Sequence, residues 1–145
     1  MEINTTPSSS DAWLDKLSSG GYRITRPLRV IVNILAEATR ALGPVEIFDL
    51  SRREYPGMGL VTVYRTLDKL DELGLVQRVH QADGCHAYLR AANGHEHFLL
   101  CACCGRVEYF SGDDLNALII EVATRSGFEI REHWLQFEGL CPSCR

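Results

Sequence analysis

Two Cys-x-x-Cys pairs, Cys101/Cys104 and Cys141/Cys144, constrain this 145-residue chain more than any other feature. Each pair sets two thiolates on a tight turn, which is half of a tetrahedral metal site. The two halves lie 36 residues apart, so one ion holding all four ties the last residues back onto an earlier strand. Soft thiolate donors and a closed four-sulfur shell suit zinc in a structural role. Such sites bind with roughly 10–16 kcal/mol of apparent energy, comparable to the whole stability of a domain this size. Disulfides compete as a reading, but a bridge inside Cys-x-x-Cys closes a very short loop and constrains little. Cys103 lies inside the first knuckle. The glycine after Cys104 favours Cys101 and Cys104 as the pair, because it can take the unusual backbone angles of the turn.

The 46% hydrophobic content supplies enough apolar surface for real cores. No apolar run approaches the roughly 18 residues of a membrane span, and Met1 opens no signal-peptide pattern. A cytoplasmic protein without a membrane partner is therefore expected, and six cysteines in a reducing compartment point to metal ligation. The net charge of −4 taken alone disfavours nucleic acid, yet its distribution does not. Residues 1–80 balance ten basic against ten acidic side chains, and residues 21–65 carry seven arginines against four acids. That segment can meet phosphates while the acidic second half keeps the chain soluble.

The chain divides into a tail over 1–10, a first domain over 11–91 and a second over 92–145. Residues 1–10 are polar and without periodicity, so disorder is expected there. A short helix spans Asp11 to Leu17. Thr25 reads as the cap of a helix reaching about Thr39, with Pro27 in its first turn. Gly43-Pro44 opens another helix, with Val45, Ile47, Phe48 and Leu50 partly buried. A further helix, Leu60 to Leu73, places Val63, Leu67 and Leu70 at helical spacing, with Gly74 as its C-cap. Leu75 to Gln81 and His86 to Arg90 read as strands joined by a turn at Asp83-Gly84.

Helices followed by a two-stranded hairpin describe an N-terminal winged helix-turn-helix. The helix over 60–73 is its recognition helix, because its N-terminal turn carries Thr62, Tyr64 and Arg65 on the polar side. Arg65 suits guanine or phosphate, and Tyr64 a thymine methyl or a phosphate. Arg23, Arg26 and Arg29 flank them as backbone contacts. The second domain is a small α/β unit, the whole chain being of the α+β class. Strands over 97–101 and 106–111 are joined by the first knuckle. Asp113 caps a helix carrying Leu115, Leu118, Ile119 and Val122. Phe128 to Leu140 forms a long strand with a change of apolar parity, and the sheet is expected to be antiparallel. So small a sheet has exposed edges that a second copy would satisfy, so a homodimer on a palindromic operator in double-stranded DNA is expected.

The run GLVTVYRTLDKLDELGLV, the HEH cluster, CACCGRVEYFS, EHWLQFEGL and CPSC together resemble the Fur family of metal-responsive repressors over residues 12–145. The resemblance implies a winged helix that reads DNA and a C-terminal domain that dimerises around a four-cysteine zinc site. It also implies a second metal at the hinge that sets the angle between the halves, and repression of metal-uptake genes with that metal as co-repressor. No enzymatic activity is expected, since four thiolates leave no open position and no nucleophile constellation is present.

His95 and His97 alternate on one strand, and His133 shares the parity of Leu135 and Phe137, so the three can chelate one divalent ion. The family's hinge pattern departs here. Its His-x-His positions correspond to Glu96 and Phe98, its hairpin acid to Leu89, and no histidine stands near Gly43; either the hinge site is lost, or Phe98 marks a one-residue bulge that restores the usual arrangement. His95, His97 and His133 match the family's other common site, whose remaining ligand corresponds to Asn116; Asp113 or Asp114 would have to supply the acid. His80, Cys85 and His86 on the hairpin offer substitute ligands. A thiolate with imidazoles favours zinc over iron or manganese as the second ion, and hence a zinc-uptake regulator. An iron or manganese repressor, or a peroxide sensor using Cys85 or Cys103, is the alternative.

Overall fold

The computed structural model describes residues 3–4, 10–81, 84–93, 96–112, 115–133 and 135–145. In chain order the elements are β1 (Ile3–Asn4), α1 (Ser10–Ser19), α2 (Arg26–Glu37), α3 (Pro44–Glu54), α4 (Leu60–Glu72), β2 (Val76–His80), β3 (His86–Arg90), β4 (Glu96–Cys101), β5 (Val107–Ser111), α5 (Leu115–Ser126) and β6 (Gln136–Gly139). Helices and strands segregate into a helical unit with a hairpin and a sheet with one helix, an α+β chain.

Local chemistry accounts for the helical unit. The hydroxyl of Thr25 accepts from the Leu28 amide at 3.4 Å, and Pro27 occupies the first turn of α2. The helix then buries Leu28, Ile31, Val32 and Leu35 against α1, α3 and α4. It ends at Glu37, two residues before the expected Thr39. The following backbone is taken up elsewhere: Thr39 accepts from Val107, and Arg40 bridges Arg106. In α3 Ile47 is fully buried, but Val45 is exposed rather than partly buried. Gly74 stops α4 with a left-handed φ of +66°, and the Leu75 amide closes the end on the Leu70 carbonyl at 2.8 Å. Leu67 is fully buried at the centre of this core. Leu67→Ala should cost about 2–5 kcal/mol, read as a fall in the melting temperature; unchanged melting would place the core elsewhere.

The hairpin β2–β3 pairs from Val76↔Arg90 to His80↔His86; Asp83 of its expected turn lies outside the described residues. The four-stranded sheet has the order β1-β5-β4-β6. It is mixed rather than purely antiparallel, because β6 runs parallel to β4. A connection through α5 returns the chain in that direction. The long strand expected over Phe128–Leu140 shrinks to Gln136–Gly139, since Ile130, Glu132, His133 and Leu135 leave the sheet to wall a cavity. The tail over 1–10, read as disordered, contributes Ile3–Asn4 as a strand on the free edge of β5 and Ser10 to α1.

The two units share a second core. Ala41, Val79, Ala87 and Leu89 from the first pack with Phe98, Leu100 and Val107 from the second. By contrast α5 buries no residue, and Leu118, Ile120 and Val122 stand exposed. The apolar spacing of this helix is real, but a single chain offers nothing to cover it.

Candidate metal centre and nucleic-acid interface

The first knuckle leaves the end of β4 and the second follows β6, so the parallel pairing of those strands decides whether the two meet. Cys101 pairs with Gly139, and Ala102 donates to the Gly139 carbonyl at 2.9 Å. Gly105 takes φ +73° to turn the chain after Cys104, a left-handed conformation that favours glycine. As a result Cys101, Cys104, Cys141 and Cys144 converge, with their sulfurs all within 4.8 Å of one another. Cys104 and Cys141 sulfurs are 3.7 Å apart, against about 3.8 Å for two thiolates on one tetrahedral zinc. The donor set therefore fits zinc.

The surroundings prepare a thiolate. The Cys141 amide donates to the Cys101 sulfur at 3.4 Å. Hydrogen bonds from the Cys104 and Cys141 backbone lower the Cys101 pKa to about 6. Cys144 is held well above the ordinary thiol range by hydrogen bonds to Cys103, then Cys141 and Cys104. A metal ion takes thiols as thiolates, so its binding here would release their protons. Cys103 is exposed and outside the four-sulfur group.

The histidines separate into two places. His97 is 4% exposed on β4, its ring 5.4 Å from that of His133 and 5.6 Å from that of Phe110. Both imidazoles line a cavity of about 750 Å³ between the units, walled on the other side by Gly74, Gln77 and Ala91. Asn116 lines it too, as does Glu132. Glu132, an exposed carboxylate beside His133 in the chain, is not among the ligands expected from the sequence. His95, Asp113 and Asp114 lie outside the described residues.

On the hairpin, His80 and His86 face each other across the strands with ring centroids 4.5 Å apart. Cys85 is exposed beside them, and His80 also borders a small cavity with Arg40, Cys103 and Cys104. Among the described residues, only the four cysteines bring three or more ligand atoms together. The structure thus pairs His97 with His133 and His80 with His86, and does not merge the pairs.

At the expected hinge positions the donors do not fit a metal. Leu89 and Phe98 are buried in the shared core. The Glu96 carboxylate receives Arg90 at 2.8 and 3.2 Å and the Asn93 amide at 3.2 Å. Burial alone would raise its pKa, but the bonds from Arg90 and Asn93 outweigh that and hold it below the usual carboxylate value.

The residues expected to contact nucleic acid lie on the N-terminal turn of α4. Tyr64 and Arg65 are exposed there and Thr62 is half-buried. Val61, 63% exposed, stands beside them, off the apolar stripe of Val63, Leu67 and Leu70, which was the clue to its outward direction. Arg26 stacks over Tyr55 at 5.6 Å and donates to the Glu54 carbonyl at 3.5 Å, at the turn leading into α4. Arg23 and Arg29 are exposed. No helix is long and apolar enough to cross a membrane among the described residues.

Comparison with known proteins agrees with this architecture. The model of the ferric uptake regulator family matches residues 19–138. The chain is 34% identical over 129 residues to the zinc uptake regulation protein of Mycobacterium tuberculosis, covering 89% of this chain and 99% of that one. It is also 34% identical over 134 residues to the ferric uptake regulation protein of Bacillus subtilis, covering 89% of each. The solved Vibrio cholerae ferric uptake regulator superposes with a TM-score of 0.68 at 27% identity, over 88% of this chain and 98% of that one. The Helicobacter pylori ferric uptake regulator shares the fold, with a TM-score of 0.74 at 19% identity over 99% and 97% of the two chains. A family model matching most of the length, and relatives above 30% identity along nearly all of theirs, place this chain in the ferric uptake regulator family of dimeric, metal-responsive, DNA-binding transcription regulators, which are not enzymes.

Proposed function

We propose that this protein is a cytoplasmic homodimeric repressor of zinc-uptake genes. Zinc on Cys101, Cys104, Cys141 and Cys144 braces the sheet, and a second zinc near His97 and His133 acts as co-repressor. The observation that carries this reading is the pairing of buried His97 with half-buried His133 in a cavity walled by both units. Imidazole nitrogen suits zinc, and drawing His133 and Ile130 toward β4 reshapes the cavity wall against Gly74 and Gln77. That populates the arrangement in which two copies of α4 match the half-sites of a palindromic operator. Tyr64, Arg65 and Thr62 then meet the major groove, with Arg23 and Arg26 on the backbone.

A second reading, an iron or manganese repressor, is favoured by Glu132, whose oxygen ligand suits harder ions. Operator binding measured under buffered free Zn²⁺, Fe²⁺ and Mn²⁺ separates the two. His97→Ala and His133→Ala should fold and keep one zinc per chain, yet require about tenfold more free metal, or more, for the same operator occupancy. If both variants respond like the wild type, the sensing assignment is wrong.

A further inference from the structure

We propose that the pivot between the DNA-binding unit and the sheet is held by an ion pair in place of a metal: Arg90 at the end of β3 clamped between Glu96 and Tyr109 of the sheet. This rests on the reading of the chain as a metal-responsive repressor and says where its metal does not act.

Four observations converge on that clamp. Arg90 and Glu96 are 7% and 13% exposed in their side chains and form two hydrogen bonds in a fork. The Arg90 guanidinium lies 3.7 Å from the centroid of the Tyr109 ring. The Tyr109 hydroxyl returns across the junction to donate to the Arg90 carbonyl at 2.6 Å. Leu89 and Phe98, at the positions where the family resemblance puts hinge ligands, are apolar and packed in the shared core.

Each part answers a demand of the place. Five residues separate β3 from β4, so without cross-links the helical unit could swing on that connection. A planar guanidinium fixed by a fork and a ring face sets orientation as well as distance, which one point charge does not. Removing one partner leaves the other's largely buried charge without its counter-charge, so the contact is costly to open. Glu96 also borders the cavity that holds His97 and His133. Metal therefore acts on the cavity wall while the pivot stays in place.

The test uses the dimer with zinc on its thiolates, followed by amide hydrogen exchange over 87–93, which excludes the zinc ligands, and by operator binding at saturating zinc. Removing zinc from the histidine cavity of the wild type should leave exchange at the junction unchanged. Arg90→Met should raise it about tenfold or more and weaken operator binding by a similar factor, with thiolate zinc and protection of α2 and α4 unaltered. Arg90→Lys, keeping charge without the fork, should fall between. If Arg90→Met does not fold, Glu96→Gln, which keeps the shape and removes the charge, decides. The proposal is overturned if chelation loosens the wild-type junction as much as Arg90→Met does, or if Arg90→Met and Glu96→Gln leave it unchanged. Wild-type protein that binds no operator at any metal level, with the junction behaving as stated, overturns the repressor reading alone.

Discussion

Cys141→Ser is expected to lose the one tightly held zinc of each chain and to detach the C-terminal strand from the sheet. The reason lies in how little else holds β6. None of its four residues is buried, and its apolar contact is the half-exposed Phe137 ring stacked on Phe110 at 5.8 Å. Besides that stack, its attachment rests on the ladder to β4, the Ala102 bond to Gly139 and the convergence of the cysteines. A four-thiolate zinc site supplies roughly 10–16 kcal/mol of apparent binding energy. Even a fraction of that exceeds what a short edge strand gains from its hydrogen bonds, each worth about 1 kcal/mol net. A loss of several kcal/mol lowers the melting temperature of a chain of this length by about 10 °C or more. Elemental analysis, calorimetry and gel filtration of reduced protein check this together. Cys103→Ser, outside the four-sulfur group, serves as the control and should retain its zinc. Full zinc content and ordinary melting in Cys141→Ser would refute the structural role.

The second large effect falls on DNA. Arg65→Ala should leave stability and dimer intact, because the side chain is exposed and belongs to neither core. A single good contact to a base or phosphate is worth about 1–3 kcal/mol. A dimer on a palindrome uses it twice, so the operator complex should weaken by about 2–6 kcal/mol, from roughly thirtyfold to more than ten-thousandfold. Titration at several salt concentrations separates the possible roles. A phosphate contact flattens the salt dependence for every sequence, whereas a base contact relaxes preference at one operator position. Unchanged operator affinity would take α4 out of the interface.

The winged-helix part of the chain was legible because its signals are local. Thr25 with Pro27, Gly43 with Pro44, and the spacing of Val63, Leu67 and Leu70 each state a boundary or a face within a few residues. The hairpin return over His86–Arg90 matched to the residue. The second half was less legible. Its long strand was read from apolar residues that line a cavity instead, Ile130 and Leu135 among them. The helix carrying Leu118 and Val122 has the pattern of a buried face and no cover within one chain. Composition cannot distinguish a wall of a cavity or a surface awaiting another copy from a core.

By itself the sequence determined the chemistry available: four thiols in two turns, a helical first half with one exposed arginine-bearing helix start, and no histidine at the positions where a hinge metal would need one. Covalent spacing and side-chain chemistry are enough for those conclusions. Only the tertiary structure decided which groups meet across long stretches of chain. The parallel register of β6 on β4 brings Cys141 to Cys101 and Cys104. The excursion before β6 brings His133 to His97, and the packing of the hairpin on the sheet presses Arg90 onto Tyr109. Such meetings depend on register and packing summed over two units, and no local stretch of residues encodes them.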